Sequence, residues 1–365
     1  MKRNILLYIC CLWGLLGCIK QEQEGYNRQL ILENVGNNII VPQLNTLQQK
    51  MSTLVKAAQA FETETTAENL QLVRNAWQAA TLQWERCAFF NFGPIKMQET
   101  SLKIDFNPAR THIIESVLGD ASIMLDQAYV ATLGVAAKGF PAIEFLLFDH
   151  EKTLEQMLAL FTTDAQAIRR KAYVRAAAQN IEVQVTAVAQ EWANNGGNYL
   201  QTFIKNSQGG NDAVNTLANK MIETAEIVAN TKLGVPLGVQ LKDGSPQPEK
   251  TEAWRSKTSL AHLVANLDMM TMVFKGDLGD GFDDYLNALK ASGSGQSLAN
   301  RIVAHIAKTK QAVLAIQPTL YEAVSADQTQ TKAAYELARE LVVLIKVDMM
   351  NALGGIVTFN DNDGD

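Results

Sequence analysis

Two long stretches without a single glycine, Phe140 to Asn195 and Gln296 to Leu353, constrain this chain more than any other feature. Turns, bulges and strand ends draw on glycine, so long runs that lack it favour helix. Around and within them, apolar residues recur at steps of three and four. Leu70, Val73, Trp77, Ala80 and Trp84 form one series, and Val174, Ala178, Ile181, Val185, Val188 and Trp192 a second. Val214, Leu217, Met221 and Val228 form a third, and Leu337, Leu341, Leu344 and Ile345 a fourth. Such spacing lays one apolar stripe along one helix face. Alternating runs of strand length are scarce; the best, Val235–Val239, carries a proline and a glycine and reads as loop. The pattern predicts helices near 28–62, 66–91, 108–133, 151–160, 164–194, 210–231, 249–275, 281–291, 296–315 and 328–353.

Stripes of this kind must be buried against one another, so the expected fold is all-α, built of helical bundles. At 365 residues the chain suits two domains of roughly 150 residues each. An apolar content of 47% supplies their cores, and a charged content of only 19% excludes a largely disordered chain. Glycine-rich stretches at Asn194–Asn198 and Gln208–Asn211 mark the divide, giving an N-terminal bundle over 28–207 and a C-terminal bundle over 208–365.

The N-terminus carries an address. Lys2 and Arg3 precede an apolar run from Ile5 to Leu16, which is too short to span a membrane but is the length of a secretory signal. The run ends Leu15-Leu16-Gly17-Cys18, which resembles a bacterial lipobox. Residues 1–17 are therefore expected to be a signal peptide, Cys18 the lipidated first residue, and 18–27 a polar tether. The competing reading is an ordinary signal with chance cysteines. Cleavage removes Lys2 and Arg3 and takes the net charge from −6 to −8; it leaves Cys87 without a disulfide partner. The expected location is the bacterial cell envelope, as a lipoprotein of the outer membrane. An acidic chain with no Lys/Arg-rich run excludes nucleic acid as the main partner.

Signatures for nucleotide binding, zinc proteases and serine hydrolases are missing from the sequence. The four histidines, His112, His150, His262 and His305, lie far apart. His112 and Glu115 share a helix face at i,i+3, but the pairing is common and reads as a surface pair rather than a metal site. His262, among apolar neighbours, reads as a hydrogen-bonded helix residue. Ser259 with His262 and Asp268 makes no convincing catalytic triad.

Three stretches carry a family resemblance. They are Trp77 through Trp84-Glu85 to Asn91-Phe92-Gly93-Pro94, then Gly139-Phe140-Pro141-Ala142-Ile143-Glu144-Phe145, and last Glu252-Ala253-Trp254-Arg255-Ser256-Lys257-Thr258-Ser259 to Asn266-Leu267. In their order and spacing, together with the ending Phe359–Asp365, they resemble the imelysin-like family of bacterial periplasmic and outer-membrane proteins. The resemblance implies two helical bundles with the motif residues gathered at the cleft between them. It also implies either metallopeptidase activity, as first described, or iron-linked uptake and binding. The family's metal motif is Gly-x-His-x-x-Glu. Here Gly139 and Glu144 match, but Pro141 stands where the histidine belongs. Proline has no side-chain donor or acceptor and cannot ligate a metal.

The expected cleft is lined by Trp77, Glu85, Gly139, Pro141, Glu144, Trp254, Ser259 and Asn266, with no catalytic residue assigned. Glu144 is the one candidate metal ligand; the alternative is that it caps its own helix near Pro141. The favoured function is a lipid-anchored, non-catalytic binding protein for iron acquisition. Its cargo would be iron or another divalent cation, or an iron chelate, and its partners the membrane and other iron-uptake proteins. The alternative is a metal-dependent peptidase that takes its histidine from His112 or His150.

Overall fold

The computed structural model describes residues 25–209, 212–293 and 295–358. The signal run, Cys18, most of the tether and the acidic ending Phe359–Asp365 lie outside the described residues. What is described is helical, as the periodicity predicts. Among the described residues the only sheet is an antiparallel pair of two-residue strands, Ser292–Gly293 and Gln296–Ser297. No helix among them is long and apolar enough to cross a membrane.

The glycine-free stretches and the apolar stripes behave as expected. The Ala67–Ala88 helix starts at Thr66, whose side chain accepts a hydrogen bond from the Asn69 N–H at 3.1 Å. It buries its stripe Leu70, Val73, Trp77, Ala80 and Trp84. The Ala167–Trp192 helix buries the second series from Val174 to Trp192. Both pack against the Val41–Thr63 helix, and these three form the first layer of the molecule. Further on, the Ala213–Glu226, Ser259–Lys275, Leu298–Leu314 and Thr329–Val343 helices pack among themselves. The Ser259–Lys275 helix also lies on the Ala67–Ala88 helix, so one hydrophobic core continues from Ile31 to Met350.

Several departures from the sequence pattern shape the site. The predicted helix 108–133 is two, Thr111–Gly119 and Gln127–Thr132. Between them the Arg169 guanidinium donates to the carbonyls of Val117, Leu118 and Ile123, each at 2.8 Å, and so satisfies carbonyls that a continuous helix would have used itself. The predicted helix 249–275 begins only at Ser259. Ala253 and Lys257 take left-handed backbone conformations, with φ of 49° and 62°, which no helix contains. The resulting turn carries Glu252 and Trp254 away from the helix axis.

Three long helices contain π segments, Val35–Ile40, Ile227–Gly234 and Leu344–Met349. A π turn changes the angular step per residue, so stepping by three and four no longer predicts the face. Asp348, which that stepping puts on the apolar seam in need of a basic partner from a facing helix, has that partner in Arg301 at 3.2 Å but lies on a half-exposed edge rather than in the seam.

Short helices that the sequence reading did not separate, Gly93–Met97, Thr100–Ile104, Tyr199–Lys205 and Leu320–Ala326, fill the connections. The Thr100–Ile104 turn presses on Gly139, which has φ of +81° and opens the Gly139–Leu147 helix. A Cβ there would stand 2.4 Å from the Ile104 carbonyl oxygen. Gly139→Ala should therefore lower unfolding free energy by about 3 kcal/mol through combined backbone strain and clash. Urea titration followed by far-UV circular dichroism checks this; a midpoint unchanged from wild type would refute the close approach.

Candidate ligand-binding cavity

A cavity of about 390 Å³ opens where the end of the Ala67–Ala88 helix, the Gly139–Leu147 helix, the Ile227–Gly234 π segment and the 249–255 turn converge. Pockets of this size and polarity suit small-molecule ligands. Of the residues singled out by sequence, Glu85, Pro141, Glu144, Trp254 and Asn266 line it. The other three stand behind the wall. Trp77 is core: its indole N–H donates to the Phe140 carbonyl at 3.1 Å, and it borders only a void of about 10 Å³. Ser259 is buried, and its hydroxyl donates to the Glu252 carbonyl, which fixes the 251–258 turn. Gly139 supplies the close approach to Ile104.

The inner wall is a buried charge network. Lys232 Nζ lies 2.6 Å from Glu85 Oε2 and 2.7 Å from Glu252 Oε2. His262 Nδ1 is 3.3 Å from Glu85 Oε1 and 3.4 Å from Glu252 Oε2. Asn266 Nδ2 donates to Glu85 Oε2 at 2.8 Å and to the Glu85 carbonyl at 3.0 Å. Burial alone would raise the Glu85 carboxyl, but the Lys232 ammonium and His262 outweigh it and hold it well below the usual carboxylate range. Burial also works against charge on His262, yet its bonds to Glu252 and Glu85 hold its pKa up at about 10. Lys232, desolvated in the same way, is raised by the two carboxylates it bridges.

Glu144 takes a different part. It is the sixth residue of its helix rather than a first-turn cap, so the capping expectation does not hold. Its Oε1 accepts from the Ser256 N–H at 2.9 Å and the Ser256 hydroxyl at 2.8 Å, across to the third motif. From Ser256 the polar contacts run on to Thr258 Oγ1 at 2.9 Å and to His262 Nε2 at 3.4 Å. Burial raises the Glu144 carboxyl; Ser256 and Arg255 only partly offset it. Asp105, held by the Trp84 indole N–H at 2.9 Å, is pushed well above its ordinary value by desolvation and by the nearby charges of Glu252 and Glu85. The wall therefore divides: the Glu85 carboxyl is shifted down, and those of Asp105 and Glu144 are shifted up.

At the mouth Trp254 stacks on Tyr321 with centroids 5.1 Å apart, His150 meets Trp254 edge-on at 4.8 Å, and the Arg255 guanidinium lies 4.3 Å from the Trp254 ring centre. His112 is exposed on its own helix. Neither His112 nor His150 is grouped with Glu144. Among the described residues the one group suited to a metal is Glu85, Glu252 and His262, whose ligand atoms lie within 4.8 Å of one another. Two carboxylates and an imidazole are an apt donor set for a first-row metal. The Lys232 ammonium, however, already bridges two of the same oxygens, so the group as it stands does not fit a divalent ion.

Sequence reasoning missed Lys232, Glu252, Asp105 and Ser256. Glu252 and Ser256 sit in the third motif beside residues that were chosen. Lys232 had no distinguishing signal, since it follows the polar pair Asn230-Thr231 and reads as an ordinary helix lysine.

Comparison with known proteins agrees with this architecture. The imelysin (peptidase M75) family profile matches residues 40–347, and the chain belongs to that family. It is similar to "Iron-regulated protein A" of Synechococcus elongatus, with 23% identity over 256 residues, or 67% of this chain; the match spans 64% of that relative's length. Two crystal structures share the fold. An imelysin-like protein from Psychrobacter arcticum matches with a TM-score of 0.70 at 18% identity, over 91% of this chain and 97% of that one. A protein described as an iron-regulated protein A precursor from Parabacteroides distasonis matches with a TM-score of 0.72 at 16% identity, over 88% and 94%.

The charge network sets a pH dependence. His262 has a folded pKa near 10 against 6.5 unfolded, so its stabilisation is complete below about pH 6.5 and is lost as pH rises through 10. Wild-type stability should fall across that window by at most about 1.4 kcal/mol per pH unit from this group. His262→Gln should flatten the slope. Urea midpoints at pH 6, 8 and 10 for both proteins check this, and parallel slopes would refute it.

Proposed function

We propose that this member of the imelysin family is a lipid-anchored, non-catalytic binding protein of the bacterial outer membrane, serving iron or metal acquisition by holding the metal as a chelate. Its working surface is the cavity between a bundle of residues 28–207 and a bundle of residues 208–365. The observation that carries the reading is Pro141. It occupies the motif's histidine position, lines the cavity and offers no ligand atom, while Glu144 is engaged by Ser256. A bare transition ion then lacks the family's donor pair, whereas an aromatic and acid-lined cavity of about 390 Å³ suits a small complex. The names of the Synechococcus and Parabacteroides relatives, both of which contain the words iron-regulated, support the link to iron.

The competing reading is a metal-dependent peptidase. A donor set from His112 or His150 finds no support in their positions, since one is exposed and the other is set edge-on against Trp254. That reading would have to run through Glu85, Glu252 and His262.

The anchor and the cargo are tested separately. Cys18→Ser should move the processed protein from the membrane to the soluble fraction; retention on membranes would place the anchor elsewhere. For the cargo, the neutral ferric tris-acetohydroxamate complex and ferric citrate are titrated against tryptophan fluorescence. At least one should quench saturably, and Glu144→Ala should weaken that binding about ten-fold, as expected for the loss of one hydrogen-bonding group, with helicity unchanged. Binding of neither chelate, together with zinc-dependent hydrolysis of denatured casein, would favour the peptidase.

A further inference from the structure

We propose that Lys232 is the resident cation of the Glu85–Glu252–His262 group, excluding divalent metal from it, and that removing the Lys232 ammonium turns these three side chains into a divalent-cation site. The inference does not depend on what the cavity binds.

The geometry carries it. Nζ of Lys232 stands between Oε2 of Glu85 and Oε2 of Glu252, at 2.6 and 2.7 Å. A first-row metal bridging the same oxygens would sit on that side of them, at about 2.0–2.2 Å from each. The two cannot share the position: a divalent ion beside a buried ammonium would face like-charge repulsion in a site with little solvent to screen it. His262 Nδ1, at 3.3 and 3.4 Å from the two carboxylates, marks a third vertex.

Two further observations set Lys232 apart from an ordinary ion-pair partner. It lies on the Ile227–Gly234 π segment, an eight-residue departure from α-helix of a kind frequent at functional sites. The Glu85 carboxylate and the Glu252 backbone also have anchors other than Lys232. Asn266 Nδ2 pins Glu85 at 2.8 Å, and the Ser259 hydroxyl fixes the Glu252 backbone. Asn266 is 5% exposed and lines the cavity, and its Oδ1 has no hydrogen-bond partner. Because both neighbours of Nδ2 are acceptors, the amide orientation is fixed and an acceptor oxygen is left beside Glu85. The donor set should therefore survive loss of the ammonium.

Wild type, Lys232→Leu and Lys232→Ala are stripped with chelator and titrated with Mn²⁺ and with Zn²⁺ by calorimetry. Wild type should show no one-equivalent binding. Lys232→Leu should bind one equivalent, on the order of 100-fold tighter than any wild-type signal, and adding His262→Ala should abolish it. If the lysine variants fold only when metal is supplied, recovered helicity with Zn²⁺ or Mn²⁺ is the same result read through stability. One-equivalent binding by wild type that His262→Ala removes would overturn the proposal. So would folded lysine variants without gained affinity, or variants that metal fails to refold.

Discussion

The Lys232 ammonium, clasped by Glu85 and Glu252 and flanked by His262, is the interaction on which the rest of the cavity depends. Its members come from four separate pieces of chain: the Ala67–Ala88 helix, the Ile227–Gly234 π segment, the turn before Ser259 and the Ser259–Lys275 helix. Each charged group is buried or nearly so, and a charge in such surroundings persists only with a partner. Removing one member of such a set typically costs roughly 3–5 kcal/mol, because the others are left uncompensated. The network thus sets the relative positions of the elements that frame the cavity, which apolar packing alone leaves free to slide. The hydrophobic core beneath it is continuous, but methyl groups do not specify register as a bridged ammonium does.

Against that constraint, the legible part of the chain was its layers. Stripes at steps of three and four predicted the long helices, because a side chain's burial on a regular helix is a local property of spacing. Trp77 and Trp84 fell on such a stripe and are buried accordingly. The sequence pattern failed where the backbone leaves regularity for a tertiary reason. Nothing in Ala253 or Lys257 announces a left-handed conformation, since neither is glycine, asparagine or aspartate. Their turn is held by contacts from distant residues, such as Ser256 on Glu144. The π segments have no spacing signature either, and one of them moved Asp348 off the seam that periodicity assigned it.

The site was legible by neighbourhood rather than by role. The motif resemblance drew attention to Glu85, Glu144, Trp254 and Asn266, and these do meet at one cavity. It gave no role to Glu252, though Glu252 opens the third motif, or to Lys232, which lies outside all three. A lysine on a helix reads equally as a residue that extends its ammonium to solvent. Only the fold reveals that it points instead at two carboxylates 147 and 20 residues away in sequence.

The division among the carboxyls bears on what such a cavity can hold. Glu85 is kept charged, but its charge is met internally by Lys232 and His262, so it contributes order rather than attraction. Asp105 is shifted up by burial and by the neighbouring anions Glu252 and Glu85, and Glu144 by burial alone, so both hold a negative charge less readily than Glu85 does. Thr251 Oγ1 and Asn266 Oδ1, both buried and without partners, add further polar atoms to the same wall. A wall of this kind discriminates by matched hydrogen bonds, since a guest that leaves these groups unpaired forfeits their desolvation cost. It gains little from a bare ion, whose attraction is spent against an ammonium already in place. On the chelate-binding proposal, charge order at the floor and the polar groups above it suit a guest recognised by its ligand shell, and Pro141, which has no ligand atom, would not help the protein replace that shell.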